Sequence, residues 1–213
     1  MSRPRFDKLD PARQQRLFDN AAEEFGDKGY DGASLNRILE RSGMSKSSLY
    51  YYFDDKADLF TTLVERSVGF MLREIGGFDP ADLTAETYWS EMEALYRRSV
   101  GMMNKSTWYV KMGRMFYRLR GDPKKSAPTG RLFQAARHWV GVIVARGQEL
   151  GVVRRDLPDS LLIDSAMGLG EALDRWIVAH WDDYSPDERL QMAEQHIGLF
   201  RALLAPPVAP AAD

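Results

Sequence analysis

The sequence predicts an all-α protein of about nine helices, and two observations support this. Apolar residues recur three and four positions apart along most of the 213 residues, and no segment combines strand-like alternation with a hairpin turn. Caps and breakers such as Asp10-Pro11, Ser42-Gly43 and Ser185-Pro186 divide this pattern into separate helices. We therefore expect helices joined by short loops, without a sheet.

Nine segments satisfy these criteria. The first four are bounded by cap and glycine signals, in order Asp10-Pro11 to Gly29, Ser34 to Ser42-Gly43, Ser45 to Tyr52, and Asp54-Asp55 to Gly76-Gly77. The other five are expected near 84–103, 105–120, 130–150, 159–181 and 186–204. We divide the chain into a small N-terminal unit, a larger helical body and a flexible tail, with bounds 1–56, 57–205 and 206–213.

Composition and motifs argue against an enzyme. The chain has no cysteine and three histidines, which excludes disulfides, thiol catalysis and cysteine metal sites and leaves few other metal ligands. It contains no P-loop, no His-Glu-x-x-His pair and no Gly-x-Ser-x-Gly elbow, and the GLGEAL stretch at 168–173 follows no strand. We expect no catalytic residues, no metal and no cofactor.

The sequence also predicts a cytoplasmic protein. No apolar run approaches the roughly 18 residues that a membrane-spanning helix requires. The first residues, MSRPRFDKLD, lack the apolar stretch of a secretory signal.

Residues 34–52 have the pattern of a helix-turn-helix, in which a glycine-containing turn joins two short helices. The pieces are 34–41, a turn at 42–44, and 45–52. The second helix of such a pair can lie in the major groove of DNA, where its N-terminal residues reach base edges. Hydroxyl and ammonium groups suit this task, and here they belong to Ser45, Lys46, Ser47 and Ser48.

Three consecutive tyrosines end this second helix, and one buried face cannot accommodate them all, because helical neighbours lie about 100° apart. Leu49 and Phe53 share the face that we expect to be buried, with Tyr52 at its border. Tyr50 and Tyr51 then point away from the core. They could contact DNA, Tyr50 through its hydroxyl to phosphate and Tyr51 by packing on bases, or they could cover neighbouring helices.

Lys56 lies in the first turn of the fourth helix, where a cation opposes the helix dipole. A bound phosphate would explain it, and so would a pair with Asp54, Asp55 or Asp58. Ser34 also has two possible roles. Its hydroxyl and the adjacent helical amides could hold a phosphate, or the hydroxyl could only cap the second helix.

Charge is unevenly distributed, although the net charge is only −2. Residues 97–155 carry 14 basic and 2 acidic side chains, whereas residues 156–213 carry 3 and 11. These faces could be solvated or pair with each other, or the basic stretch could face an anionic ligand or flanking DNA. Residues 1–56 carry 10 of each sign, so a phosphate-facing surface there depends on where single basic groups lie. Arg3 and Arg5 could reach the minor groove or belong to an uninvolved tail.

Residues 18–60, FDNAAEEFGDKGYDGASLNRILERSGMSKSSLYYYFDDKADLF, resemble the N-terminal DNA-binding region of the TetR family of bacterial transcriptional regulators. The most specific pieces are the frame F..KGY.G.S...I...SGMS and the LYYYF..K.DL that follows it. The resemblance implies DNA contacts at Ser34, Ser45, Lys46, Ser47, Ser48, Tyr50, Tyr51 and Lys56, with Tyr52 at the margin. It also implies a homodimer with a small-molecule pocket among the central helices.

The last two expected helices are candidates for the dimer interface. Residues 186–204 carry a broad apolar stripe, and residues 159–181 are apolar on more than one side and need cover on both. A second subunit would provide this cover, and so would an intramolecular hairpin. The resemblance favours a four-helix dimer interface, which we expect to include Leu162, Leu169, Leu173, Trp176, Ile197, Phe200 and Leu204.

Large, adaptable side chains are abundant in the central helices. Methionines and aromatics at helical spacing form either an ordinary core or a ligand site, and the resemblance favours a ligand site. Our candidates are Trp89, Met92, Tyr96, Trp108, Met112, Phe116, Phe133, His138 and Met167. The basic middle segment suggests a hydrophobic or anionic effector, such as a fatty acyl compound.

These expectations combine into one function. The protein would be a ligand-responsive transcriptional repressor that binds a palindromic operator as a homodimer and releases it when a small molecule binds. The alternative is a helical lipid- or small-molecule-binding protein without sequence-specific DNA binding, which would show no salt-dependent affinity for DNA.

Overall fold

The structure, a computed structural model, describes residues 6–105, 107–120 and 127–207. Arg3, Arg5 and most of the expected tail therefore lie outside the described residues. Within them the chain forms nine α-helices and no strand, so the predicted all-α class is confirmed. The helices are α1 (Pro11–Gly32), α2 (Leu35–Ser42), α3 (Lys46–Tyr52), α4 (Lys56–Ile75), α5 (Tyr88–Lys105), α6 (Thr107–Arg120), α7 (Ala127–Glu149), α8 (Asp159–Ala179) and α9 (Pro186–Leu204).

Side-chain caps fix several helix starts at the residues that the sequence indicated. The Asp10 carboxylate accepts the backbone N–H of Arg13 at 3.1 Å, ahead of proline at the start of α1. Ser185 and Glu188 form both hydrogen bonds of a capping box at α9. Each cap satisfies amides that would otherwise lack a partner at the helix end, which explains why these starts were predictable.

The bounds of α1 and α5 differ from the expected ones for identifiable reasons. α1 extends to Gly32, three residues beyond the expected end. Gly29 interrupts it with a positive φ of 68°, so the regular part of the helix ends where the sequence predicted. α5 begins at Tyr88 instead of near 84. Thr84 and Thr87 exchange side-chain and backbone hydrogen bonds of 3.0 and 3.2 Å, and this local turn replaces the first helical turn.

The chain is divided into two compact units. The first contains α1, α2, α3, most of α4, and α6, and the second contains α5, most of α7, α8 and α9. The division along α4 falls after Leu72.

Aromatic rings dominate the core of the first unit. Phe25, Phe53 and Phe60 are fully buried, and Phe25 meets Phe60 edge to face with ring centroids 5.2 Å apart. α1 also packs against α6, where Lys111 donates a 2.7 Å hydrogen bond to the Asp27 carboxylate. This core fixes the orientation of α2 and α3.

The core of the second unit lies between α5, α7, α8 and α9. Buried Tyr88, Val144, Leu162 and Leu204 are part of one apolar cluster. The Tyr88 hydroxyl is satisfied there, because it donates to the carbonyl of Ile143 at 3.1 Å.

The close packing of α7 against Tyr88 yields a stability prediction. A methyl group at Gly147 would lie 2.8 Å from the Tyr88 hydroxyl and inside contact distance of Val153. Both neighbours are buried, so Gly147→Ala should destabilise the protein by about 1–3 kcal/mol through overpacking. Gly101→Ala is the matched control, since no atom lies within 4 Å of its added methyl and alanine favours a helix. Thermal unfolding of both variants tests this, and equal stability would contradict it.

Candidate nucleic-acid interface

α2, the following turn and α3 form the predicted helix-turn-helix. Ser34 caps α2 by accepting the Arg37 N–H at 3.4 Å, and Ser45 caps α3 by accepting the Ser48 N–H at 3.2 Å. Gly43 in the turn has a left-handed φ of 65°, which glycine adopts without steric cost. α2 and α3 are thus oriented by local chemistry as well as by the core.

The two faces of α3 separate as its sequence indicated. Leu49 and Phe53 are buried in the aromatic core, at 1% and 0% exposure. Tyr52 packs against the same core, with its ring 5.7 Å from that of Phe6. Tyr50 and Tyr51 are 54% and 48% exposed. The predicted exposure of the last two rings is confirmed, and their contact with DNA remains a prediction.

Polar groups at the start of α3 form a small connected array. The Ser45 hydroxyl lies 2.9 Å from that of Ser47 and 2.8 Å from that of Ser48. Lys46 is exposed beside them. Three hydroxyls and one ammonium group therefore lie on one exposed end of the helix and can donate or accept at base edges and phosphates.

Lys56 has partners that the sequence did not indicate. Its ammonium group donates to the backbone carbonyls of Asp31 at 3.2 Å and Ala33 at 3.3 Å, and it lies 4.9 Å from the Tyr30 ring. Because the carbonyls belong to the end of α1, the cation binds that end to the start of α4. This accounts for a lysine in the first turn without a phosphate.

A buried carboxylate supports the start of α2, and sequence periodicity missed it. Glu24 is 4% exposed and accepts the backbone N–H of Ser34 at 2.9 Å and the Arg37 guanidinium at 3.1 Å. A buried charge requires such partners. It therefore positions Ser34, one of the residues expected to contact DNA. The only available signal was a glutamate among the buried positions of α1.

Phe6 is the second residue that sequence reasoning missed. It is fully buried, and its ring lies 4.8 Å from that of Phe53 and 5.3 Å from that of Phe18. The Arg66 guanidinium lies 5.1 Å from the Phe6 ring and pairs with Asp7. These contacts attach the segment before α1 to the helix-turn-helix.

The candidate ligand residues divide between the units. Trp89 and Met92 are half-buried against the core of the second unit, whereas Phe116 packs against the core of the first. His138 is exposed. The remaining candidates in the second unit are half-buried, namely Tyr96, Phe133 and Met167. Trp108 and Met112 lie in α6, but their side chains fall outside the described ones.

Tyr96 and His196 form a polar pair inside the second unit. The Tyr96 hydroxyl lies 2.7 Å from His196 Nδ1, and the imidazole is 6% exposed. Burial raises the pKa of Tyr96, with a further contribution from Asp174, and burial lowers the pKa of His196. Tyr96 and His196 are therefore both neutral near pH 7.

The lowered pKa of His196 predicts a pH dependence of stability. The unfolded chain binds a proton near pH 6.5, whereas the buried imidazole resists it. The contribution of His196 is complete above pH 6.5 and is lost as the pH falls from there toward the folded-state pKa, by up to about 1.4 kcal/mol for each pH unit. Unfolding free energies between pH 7.5 and 5 should therefore fall more for the wild type than for His196→Gln. Parallel curves would contradict this.

The candidate dimer residues differ in exposure. Leu162 and Leu204 are buried in the core of their own unit, at 1% and 5% exposure. Leu169, Leu173, Ile197 and Phe200 are half-buried, and Trp176 is 39% exposed. Leu199 adds an apolar side chain that is 49% exposed. α8 and α9, which pack together, thus retain accessible apolar surface.

The described residues contain neither a candidate metal site nor a membrane-spanning helix. No group of three or more histidine, aspartate or glutamate side chains is arranged to hold a metal ion. No helix in the described ranges is long and apolar enough to cross a membrane.

Comparison with known proteins identifies the helix-turn-helix region. Residues 17–63 match the family model of the bacterial regulatory proteins, tetR family. Over these residues the chain is similar to the tetR family. The resemblance drawn from the sequence is thereby confirmed, and the matched TetR residues include α2, α3 and the first turns of α4.

A curated relative matches part of the chain. The biofilm operon icaADBC HTH-type negative transcriptional regulator IcaR of Staphylococcus epidermidis is 34% identical over 59 residues. The match covers 28% of this chain and 32% of IcaR. The chain therefore spans about a third of the length of this relative.

Solved structures extend the likeness to most of the chain. FadR from Bacillus subtilis, solved with stearoyl-CoA, is 15% identical with a TM-score of 0.72, covering 88% of this chain and 97% of that one. NalD, the secondary repressor of the MexAB-OprM multidrug efflux pump in Pseudomonas aeruginosa, is 15% identical with a TM-score of 0.67, covering 91% and 97%. At these identities the likeness shows that this chain shares the fold of these two proteins over most of its length.

Proposed function

We propose that this protein is a transcriptional repressor that binds a palindromic DNA operator as a homodimer and releases it when a small molecule binds. The observation that carries the proposal is the exposed face of α3. Two tyrosine rings and Lys46 are presented to solvent by a helix whose opposite face is fixed in a core. This face lies within the region that is similar to the tetR family.

The proposal assigns separate tasks along the chain. Residues 1–56 read DNA, and residues 57–205 bind the effector and the second subunit. α3 lies in the major groove with the Ser45 hydroxyl array and Lys46 toward base edges. Tyr50 contacts a phosphate through its hydroxyl. Lys56 instead holds the end of α1 through the carbonyls of Asp31 and Ala33. The chain acts in the cytoplasm, where bacterial DNA is found. Catalysis has no part in this mechanism.

Dimerisation through α8 and α9 would explain the apolar surface that these helices retain. A second copy would cover Trp176 and Leu199, which a single chain leaves 39% and 49% exposed. A palindromic operator requires this symmetry, because each half-site meets one recognition helix about 34–36 Å from the other.

The stoichiometry of the DNA complex tests the proposal. A duplex obtained by selection from random sequences should bind two chains, and analytical ultracentrifugation should show this complex at near-physiological salt. Trp176→Asp is the matched variant, because a charge on the exposed ring position should prevent dimerisation without entering the core. One chain per duplex, or binding that depends on salt but not on sequence, would contradict the proposal.

We propose an anionic amphiphile, such as a fatty acyl compound, as the effector. Support comes from the basic segment 97–155 and from half-buried Trp89, Met92 and Tyr96 in the second unit. FadR from Bacillus subtilis, which shares the fold, was solved with stearoyl-CoA. Stearoyl-CoA added to the protein–duplex complex should lower DNA affinity, with coenzyme A as control. Release by neutral or cationic compounds alone would contradict this choice.

A further inference from the structure

An open groove lies beside the recognition helix α3, at the end where its tyrosines are. Its volume is about 490 Å³, and six residues line it, namely Lys8, Leu9, Asp10, Arg13, Tyr51 and Tyr52. Tyr51 therefore lies both at this groove and on the exposed face of α3 that we assign to DNA. The other wall comes from the segment before α1 and from the first turn of that helix.

The wall opposite the tyrosines is fixed in place. Phe6, two residues before Lys8, is fully buried and packs against Tyr52, with ring centroids 5.7 Å apart. Leu9 packs on the same core, and its carbonyl accepts a 2.7 Å hydrogen bond from the Gln14 amide. Because both sides of the groove rest on one core, the backbone that carries Lys8 and Arg13 is held beside α3.

The charges in this unit are arranged so that cations remain available at the groove. Three acidic groups elsewhere on α1 form ion pairs with other cations, namely Glu23 with Arg41, Glu24 with Arg37 and Asp27 with Lys111. Among the described residues, neither Lys8 nor Arg13 forms an ion pair or a side-chain hydrogen bond. A segment with equal numbers of acidic and basic residues thus gains a local positive surface.

We infer that this groove binds a backbone phosphate of DNA, just outside the base pairs that α3 contacts. The inference rests on the proposed function and deepens it. The Lys8 ammonium and the Arg13 guanidinium would donate to the phosphate oxygens, and the Tyr51 ring would lie between that phosphate and the bases. Such contacts fix the register of the recognition helix and carry no sequence information themselves.

Asp10 is the one carboxylate in the groove, and its role is local. It accepts the backbone N–H of Arg13 at 3.1 Å and so caps α1. Its negative charge opposes phosphate binding, so the groove binds more weakly than its two cations alone would permit. Removing this charge should therefore increase the affinity for DNA, which gives a second test of the inference.

The first test measures DNA affinity by fluorescence anisotropy over a range of salt concentrations. Lys8→Gln combined with Arg13→Gln should weaken binding to the selected duplex by about tenfold or more. The slope of log affinity against log salt should become shallower by about 1.8, for one lost phosphate contact in each of two subunits. The preferred sequence should not change. Arg73→Gln combined with Lys105→Gln removes two exposed charges from the second unit and should leave the slope unaltered.

The second test uses Asp10→Asn, which keeps a good helix cap and removes the carboxylate charge. Its affinity for the duplex should rise several-fold, with unchanged thermal stability. A folding defect could explain weaker DNA binding in the first test, but it could not explain stronger DNA binding in the second.

Several outcomes would overturn the inference. Wild-type affinity and slope in the Lys8 and Arg13 variant, with specific binding intact, would remove the groove from the DNA interface while leaving the proposed function standing. Inorganic phosphate could also be added to the protein while NMR signals of Tyr51 and Tyr52 are followed. If these signals shift but the Lys8 and Arg13 variant keeps its DNA affinity, the groove binds a free anion and not DNA. If the wild type itself selects no DNA sequence, the proposed function is wrong. This result differs from a variant that keeps wild-type affinity, which contradicts only the phosphate site in the groove.

Discussion

Tyr51→Ala should remove most of the sequence-specific affinity of this protein for DNA, with little change in its thermal stability. The ring is 48% exposed on α3 and has no place in the aromatic core of the first unit. If it packs on bases in the major groove, its loss should cost about 1–3 kcal/mol for each subunit of the dimer. Anisotropy with the selected duplex measures the loss, and circular dichroism measures the melting temperature.

Conservative variants separate the contributions of the ring and the charges of α3. Tyr51→Phe keeps the ring and should retain most of the affinity, whereas Tyr50→Phe should lose the phosphate contact of its hydroxyl. Lys46→Ala should weaken binding with stability unaltered, because Lys46 is exposed at the start of the helix. A Tyr51→Ala protein that melts much earlier but binds normally once folded would mean that α3 has been misassigned.

Phe6→Ala should destabilise the first unit by about 3–5 kcal/mol. The ring is fully buried and contacts Phe18, Tyr52 and Phe53 edge to face or at a tilt. Its removal leaves a cavity under the recognition helix, so DNA affinity should fall as well. Chemical denaturation gives the free energy of unfolding.

Lys8→Ala is the matched control for this prediction. It lies two residues further along the same segment but is exposed, so its free energy of unfolding should stay within about 0.5 kcal/mol of the wild type. Phe6→Leu should recover part of the loss by refilling the cavity. A Phe6→Ala protein as stable as wild type would show that this segment does not belong to the core.

The helices were predictable because their ends are encoded locally. Asp10, Ser34, Ser45 and Ser185 each lie next to the amide that they cap, and Gly43 marks a left-handed turn that other residues resist. The exposure of Tyr50 and Tyr51 followed from helical geometry once Leu49 and Phe53 were assigned to the core. These signals extend over four residues or fewer.

The features that the sequence did not reveal depend on distant partners. Glu24 accepts the N–H of Ser34 ten positions away, and Tyr96 meets His196 across 100 positions. Phe6 is a single apolar residue among polar neighbours, so no periodicity marks it as buried. Lys56 suggested an anion, but carbonyls 23 and 25 positions earlier account for it. Contacts of this kind become visible only when the chain is folded.

Selection of the purified protein against a random-sequence duplex library at near-physiological salt tests the central claim most directly. A dimer with one α3 per half-site should enrich an inverted repeat whose half-sites are about one helical turn apart, and Tyr51→Ala should enrich nothing. Salt-sensitive binding without any enriched sequence would contradict base reading by α3. That result would favour a helical lipid- or small-molecule-binding protein that does not recognise a DNA sequence.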